Sequence, residues 1–277
     1  MVQSQTSIQR GAAHFLERHL REVPLHRAII RSAEALLVST VALPRPLLDV
    51  GCGDGHFTDM VRDGPVDAGI DLSREAAREA ACRGVYRCLA VASATCLPFS
   101  DQSFASVMSN CALEHIPDLS RALHEIARVL QPGGTFVCTV PSHNFARYLA
   151  GASLPRAVGL AVLGHAYGAW FNRLSAHYHT YDLDGWRTRL AAAGLEVVRW
   201  RGYLGPTAMK VFDLSHYYGA PTLLTKRLTG RWVLLPDKAR WWPPERWLAR
   251  WLVRYCEEDP GRNAAYYFFV CRRASGV

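Results

Sequence analysis

The run Leu47-Leu48-Asp49-Val50-Gly51-Cys52-Gly53-Asp54-Gly55-His56-Phe57 sets the architecture of this chain. Four residues of strand character lead into three glycines at alternate positions, and a helical pattern follows. Glycine lets a backbone approach a ligand closely and reach φ > 0 without steric cost. A strand, a glycine turn and a helix make the first unit of a doubly wound α/β sheet, whose ligands bind beyond the carboxyl ends of the strands.

Two phosphate-binding readings of this turn fail. A dinucleotide fingerprint, G-x-G-x-x-G, needs glycine where His56 stands. A P-loop needs G-K-[ST], and none follows. The string resembles instead the "LDVGCGxG" motif I of class I S-adenosylmethionine (SAM)-dependent methyltransferases. Gly69-Ile70-Asp71-Leu72-Ser73 reads as a second strand ending in an acid, 18 residues after Gly53. That is close to the ~20-residue spacing of an acid that receives ribose hydroxyls. Helix N-capping is the other reading of Asp71, a task that Ser73 can also perform.

Further segments follow the order of the type-11 (ubiquinone/menaquinone-biosynthesis-like) methyltransferase family. Ala94-Thr95-Cys96-Leu97-Pro98-Phe99-Ser100-Asp101 resembles its "DAxxLPFxD" segment. Val107–Asp118 resembles its fourth strand and turn, and Leu130–Phe136 its "LkPGGxf" link. The chain departs from the family at Ser93 and Ala105, where acids are usual. Serine accepts a hydrogen bond more weakly than a carboxylate.

The resemblance implies a Rossmann-like, seven-stranded, mostly parallel sheet with an antiparallel last strand. N-terminal helices and two helical insertions are expected to form a cap. The boundaries expected are an N-terminal helical cap over 1–43, a SAM-binding core over 44–141 and a lid over 142–181. The chain then returns to the core over 182–201, a basic Trp/Arg-rich insertion spans 202–262, and 263–277 hold the last strand and tail. The resemblance also implies that Asp49, Gly51, Cys52 and Gly53 hold the methionine end of SAM. Asp71 takes the ribose, Leu72 packs on adenine, and Ser93, Ala94 and Thr95 meet its edge. Asn110 faces the methionine moiety. No metal is expected, and S-adenosylhomocysteine (SAH) is the implied product.

Helical patterning supports several elements. Residues 7–40 carry apolar residues at helical spacing, interrupted at Pro24. Leu119, Leu123, Ile126 and Leu130 share a face of a helix that Asp118 caps, and Asp182 caps a helix over 183–193. The apolar run 157–171 is 15 residues, short of the ~20 that span a bilayer, so it reads as a lid helix. Glu245–Tyr255 reads as a helix with Trp247, Leu248, Trp251, Leu252 and Tyr255 on one side, beside Arg246, Arg250 and Arg254.

Composition narrows the function. The chain has 277 residues, enough for one domain with additions. Its eight cysteines contain no C-x-x-C pair, which argues against zinc ribbons and disulfide frameworks and fits a reduced, cytoplasmic setting. The polar start of the chain reads as lacking a leader. Net charge is +8, and residues 200–277 hold 13 Lys+Arg against 6 Asp+Glu together with six of eight tryptophans. That basic stretch has three readings: a packed cap, an aromatic pocket for an apolar substrate, or peripheral contact of residues 226–256 with an anionic (inner) membrane surface. A nucleic-acid substrate is not expected, because strand 4 ends in Ser109-Asn110-Cys111-Ala112 rather than an N-P-P-Y motif.

Methyl transfer from a sulfonium is an in-line displacement that chiefly requires positioning. A base is needed only when the acceptor must lose a proton. Histidine suits that role near neutral pH, and His115, His143, His177 and His179 all fall at the predicted strand ends. Glu114 reads as solvent-facing ahead of base. The reading is a SAM-dependent methyltransferase acting on a small hydrophobic acceptor, natural product, isoprenoid or lipid, with oxygen preferred over carbon or nitrogen. The alternatives are a SAM-binding assembly or regulatory protein without turnover, and an RNA or protein methyltransferase.

Overall fold

A computed structural model describes residues 11–229 and 245–274. Seven strands form one sheet: β1 (Leu47–Val50), β2 (Val66–Asp71), β3 (Tyr86–Val91), β4 (Phe104–Asn110), β5 (Leu130–Pro141), β6 (Leu195–Tyr203) and β7 (Tyr266–Arg273). Their spatial order is β3-β2-β1-β4-β5-β7-β6. The first five pair in parallel, and β7 runs antiparallel to both β5 and β6. The order reverses between β1 and β4, the switch point at which open α/β sheets bind ligands.

Parallel strands are buried on both faces and carry continuous apolar runs. All four residues of β1 are buried, and two apolar clusters sit on the two faces of the sheet. The helices that follow the strands are α3 (His56–Val61), α4 (Arg74–Arg83), α5 (Leu119–Val129) and α9 (Leu183–Ala192). Three have side-chain caps. Ser73 Oγ accepts from Ala76 N, Asp118 from Arg121 N and Asp182 from Gly185 N. Ser73 thus performs the capping that was one reading of Asp71.

The strand ends differ from the sequence expectation. Helix α5 stops at Val129, and Leu130 already pairs with Phe104. The Pro132-Gly133-Gly134 segment is an irregularity inside the strand, with Gly133 at φ +71°. Strand β6 runs to Tyr203 rather than Val198, because residues 199–203 continue to pair with β7. The run 157–171 is not one helix. It holds the end of α7 (Ala150–Ala157), a break with Gly159 at φ +83°, and most of α8 (Ala161–Leu174), preceded by the short α6 (Phe145–Tyr148).

Helices α1 (Ala12–Glu22) and α2 (Leu25–Ser39), separated at Pro24, pack against α10 (Pro206–Thr229) and α11 (Glu245–Glu257). The N-terminal helices and the described parts of 202–262 therefore form one layer over the ligand end of the sheet. The apolar stripe expected on α11 splits. Ala249, Leu252, Tyr255 and Cys256 are buried, whereas Trp247 and Trp251 are 63% and 44% exposed. Arg254 lies over the Trp251 ring at 4.8 Å. The rest of the basic insertion, residues 230–244, lies outside the described residues. All eight cysteines are free thiols.

Candidate active site

The turn after β1 adopts three left-handed glycine conformations, with φ +76° at Gly51, +55° at Gly53 and +73° at Gly55. L-residues with side chains avoid this region. A Cβ on Gly51 would lie 2.4 Å from the Ala112 Cβ, so the turn is packed against the segment after β4. Nothing lies within 4 Å of where a Gly53 Cβ would be. That bare backbone forms part of the wall of a 340 Å³ cavity at the switch point.

Asp71, at the end of β2, ties the turn in place. Its Oδ2 accepts from Gly53 N at 2.8 Å and its Oδ1 from Ser73 N at 2.8 Å. A carboxylate has about four acceptor positions, so each oxygen retains capacity for a ligand hydroxyl. Asp49 is buried in β1 and accepts from Thr58 Oγ1 at 2.5 Å and Tyr86 OH at 2.6 Å. Burial pushes its carboxyl up to about 6, against the pull of these two donors. Asp49 lines the cavity, but its Oδ2 is committed to the fold. Leu72 is 74% exposed. Ser93 Oγ and Thr95 Oγ1 are 2.8 Å apart, and Ser93 Oγ also accepts from Thr95 N.

The inner wall comes from α2, and sequence reading missed it. Arg27 and Arg31 line the cavity opposite the glycine turn. Glu34, one turn further, is fully buried and receives four donors. They are Arg31 Nη1 at 3.1 Å, Asn110 Nδ2 at 2.7 Å, Cys111 Sγ at 2.8 Å and Tyr203 OH at 3.1 Å. Asn110 completes its amide by accepting from Thr139 Oγ1 at 2.9 Å. Burial disfavours the Arg31 charge, but Glu34 beside it holds the guanidinium above its usual range. Arg27 is lowered to about 10, by burial and then by Arg31. The available signal was the spacing of Arg27, Arg31 and Glu34, which puts three charges on one helix face otherwise followed by apolar residues.

The four candidate histidines part company. His115 and His177 come together, with ring centroids 5.3 Å apart, and His177 packs on Phe145 at 4.8 Å. His115 Nδ1 donates to the Ala176 carbonyl at 3.1 Å. Glu114 joins them, with its Oε1 3.9 Å from His115 Nε2. The expectation of a solvent-facing Glu114 is corrected. The residue is 1% exposed, because the 3₁₀ turn Leu113–His115 folds its side chain under the sheet end. Burial, followed by a smaller push from Glu34, raises its carboxyl to about 8. Burial and then His115 lower His177 to about 4.

His179 is a clamp. Its Nε2 donates to the Ile116 carbonyl at 2.9 Å and its Nδ1 accepts from Tyr181 OH at 2.9 Å. Both ring nitrogens are thereby used in holding the chain. His143 is exposed, and its backbone N–H donates to the Tyr181 carbonyl.

The residues present fit an adenosyl-methionine ligand. Of the expected cofactor residues, Asp49, Gly51, Cys52, Gly53 and Asn110 line this cavity, whose volume lies within the range of small-molecule sites, whereas Asp71, Leu72, Ser93, Ala94 and Thr95 lie outside its lining, Asp71 reaching it through its bond to Gly53 N.

A family model described as a methyltransferase domain, type 11, matches residues 48–138. The demethylmenaquinone methyltransferase of Symbiobacterium thermophilum is 35% identical over 114 residues, which cover 37% of this chain and 45% of that protein. A malonyl-[acyl-carrier protein] O-methyltransferase of Pseudescherichia vulneris is 30% identical over 172 residues, covering 61% of this chain and 63% of that protein. The chain thus spans about half to somewhat under two thirds of the length of these relatives. Among solved structures, a chain of the complex between the Haloferax volcanii Trm112 methyltransferase activator and its methyltransferase has a TM-score of 0.55 at 20% identity, covering 96% of this chain and 95% of that one. Geranyl diphosphate methyltransferase in complex with SAM has a TM-score of 0.52 at 17% identity, covering 90% of each chain. At these identities the two structures share the fold.

Proposed function

We propose that this chain, whose residues 48–138 are a class I methyltransferase domain of the type-11 family, transfers a methyl group from SAM to an oxygen of a small, hydrophobic acceptor. The observation that carries this reading is the glycine turn pinned by Asp71, open at Gly53 and facing Arg27 and Arg31 across the cavity. When bound, SAM supplies an electrophilic methyl on a sulfonium. Gly51, Cys52 and Gly53 present backbone to its methionine end, and Asp71 receives its ribose hydroxyls. Leu72 offers an apolar face to adenine, and Ser93, Ala94 and Thr95 offer polar edges. Asn110, held by Glu34 and Thr139, faces the methionine moiety from the end of β4.

The acceptor end lies past β4. Tyr203 and Tyr266 stack there at 5.4 Å, and Phe145 meets Tyr266 edge-on at 5.4 Å. These rings are buried in the core beneath that end and stiffen its floor. Glu114, His115 and His177 cluster at that end and would take an acceptor hydroxyl proton, whereas both ring nitrogens of His179 hold the chain.

Among the described residues no helix is long and apolar enough to cross a membrane. Trp247 and Trp251 beside Arg250 and Arg254 support peripheral contact with anionic lipid, which would bring the enzyme to an isoprenoid or lipid acceptor.

The test is incubation with methyl-labelled SAM and a panel of phenols, isoprenoids and acyl carboxylates, read by mass spectrometry. A labelled O-methyl product supports the reading. SAM binding with no labelled product on any acceptor would favour a binding protein without turnover, and no SAM binding would refute the whole scheme.

A further inference from the structure

We propose that Glu114, His115 and His177 form a binding site for one divalent cation, of the zinc type, at the acceptor end of the fold. Each contributes one ligand atom, and the three atoms all lie within 4.8 Å of one another. Two segments that are distant in sequence build the site. One is the 3₁₀ turn after β4, which carries Glu114 and His115. The other is the chain leaving α8, which carries His177. Tyr178 N donates to the Glu114 carbonyl at 2.9 Å and His115 Nδ1 to the Ala176 carbonyl at 3.1 Å, so the two segments are fixed to each other before any ligand arrives.

Two observations point to a missing partner. Glu114 is 1% exposed, yet its Oε2 has no hydrogen-bond partner; the buried Nδ1 of His177 has none either. Burying a carboxylate oxygen and an imidazole nitrogen unpaired is costly unless something compensates. A divalent cation held by both residues would offset that cost.

The tautomer of His115 agrees. Its Nδ1–H is committed to a backbone carbonyl, which leaves the lone pair on Nε2, the atom facing Glu114. Metal-bound histidines are commonly oriented in this way by a carbonyl on the other nitrogen. Two imidazoles and one carboxylate are a zinc donor set with a fourth position left open. Metal–ligand bonds of about 2.0–2.2 Å put tetrahedral ligands roughly 3.3 Å apart. The three ligand atoms, now within 4.8 Å of one another, would draw together to that separation on binding. His115 is exposed and gives the ion a route in from solvent.

The role of such an ion rests on the proposed O-methylation, whereas its binding does not. An acceptor hydroxyl in the open position would bind through oxygen and lose its proton to solvent more readily, because the cation stabilises the alkoxide or phenoxide. The oxygen then attacks the methyl carbon as the carbon–sulfur bond breaks, leaving SAH. Glu34 next to this site is already matched by Arg31, so the site's own charge is that of Glu114 and the cation.

The experiment uses the full chain stripped with chelator and dialysed. Zn²⁺ is titrated calorimetrically, and Co²⁺ is followed by its visible absorption, which is intense only in low-coordinate geometry. One equivalent is expected to bind, with affinity reduced more than about 100-fold in Glu114→Gln and in His177→Ala. His165→Ala, an exposed histidine on α8, should bind as wild type. Circular dichroism of the metal-free variants checks that they are folded, and SAM titrated into the same samples reads the cofactor site separately. Absence of Zn²⁺ and Co²⁺ binding in a wild type that binds SAM would overturn the proposal, leaving Glu114 and His177 as a proton-transfer pair. Unchanged metal affinity in both variants would overturn it equally. A protein that binds the cation and not SAM would refute the methyltransferase reading instead.

Discussion

The glycine turn and the α2 helix face each other across one cavity and are built by opposite means. The turn is shaped by three glycines and pinned through backbone amides, by the Asp71 carboxylate at Gly53 and Ser73 and by Asp54 at His56. The helix places charged side chains, and each depends on another element: Glu34 is satisfied by Arg31 on its own helix, by Asn110 and Cys111 at the end of β4, and by Tyr203 at the end of β6. The turn is a local structure and should fail locally. The helix is held by long-range pairs, and damage to it should reach the whole cap.

The largest effect is expected at Gly51. Gly51→Ala combines a left-handed φ with a 2.4 Å approach to Ala112. SAM affinity should fall by more than about 100-fold in calorimetry, through displaced backbone. Retained affinity would mean that the turn is not a rigid cradle. Next comes Glu34→Ala, which strands the half-buried Arg31 and deprives Asn110 and Tyr203 of their acceptor. Breaking one side of a buried charged network costs about 3–5 kcal/mol. The midpoint of denaturant unfolding should drop accordingly, and hydrogen exchange should quicken over α1 and α2 more than over β1–β4. Uniform destabilisation would erase the contrast between the two walls.

Asp71→Ala should weaken SAM binding by about 1.5–3 kcal/mol, the scale of hydrogen bonds to a charged group, with little change in cap exchange. An unchanged SAM affinity would remove its ribose role.

Acid should separate the regions by sign. His19 in α1 is pushed down to about 3 by burial, then by His56, with Arg31, Glu22 and Ser32 also facing it. His26 in α2 is pushed down to about 3 by burial, then by His216 and Arg27. The unfolded chain takes up these protons as pH falls through about 6.5, whereas the folded cap does not until about 3. The stability they confer is therefore complete above 6.5 and is lost as pH falls from there towards 3. At pH 4.5 each histidine should cost about 2–3 kcal/mol. Asp49 in β1 has its folded pKa raised to about 6. Its protonation stabilises the fold as pH falls from 6 towards its ordinary value near 3.8. Exchange measured at pH 7 and 4.5 should show α1 and α2 opening more readily while β1 does not. The cap's response should flatten in His19→Leu. A cap that opens no more readily at pH 4.5 would contradict the assignment.

The smallest effect on the fold is expected at the surface. Trp251→Ala should change stability by no more than about 0.5–1 kcal/mol, because Trp251 is 44% exposed. It should still reduce sedimentation with anionic vesicles, and indifference to lipid charge would remove the membrane contact.

How much of this was legible in sequence follows the same division. The turn could be read because its requirement is local: φ > 0 at Gly51, Gly53 and Gly55 leaves glycine in a fixed pattern next to a strand. Ser73, Asp118 and Asp182 were legible for the same reason, since a cap bonds to residues three positions away. The α2 wall was not, because Glu34 meets Asn110 and Tyr203 across 76 and 169 residues, and no local rule encodes such pairs. Glu114 was misread because a charged residue in a turn after a strand is ordinarily exposed. Only the fold of the 3₁₀ segment against residues 176–178 buries it. Trp247 and Trp251 could be placed in sequence on one side of α11 with Leu252 and Tyr255, but not as packed or exposed, because spacing marks a stripe and not its width. Ala249, Leu252, Tyr255 and Cys256 fill the contact without them.

The most direct test of the central claim is calorimetric titration of SAM and SAH into the wild-type chain alongside Asp71→Ala and Gly51→Ala. Both ligands should bind saturably at one site, more weakly in Asp71→Ala and hardly at all in Gly51→Ala. Binding of neither ligand to the wild type, or equal binding to all three proteins, would contradict it.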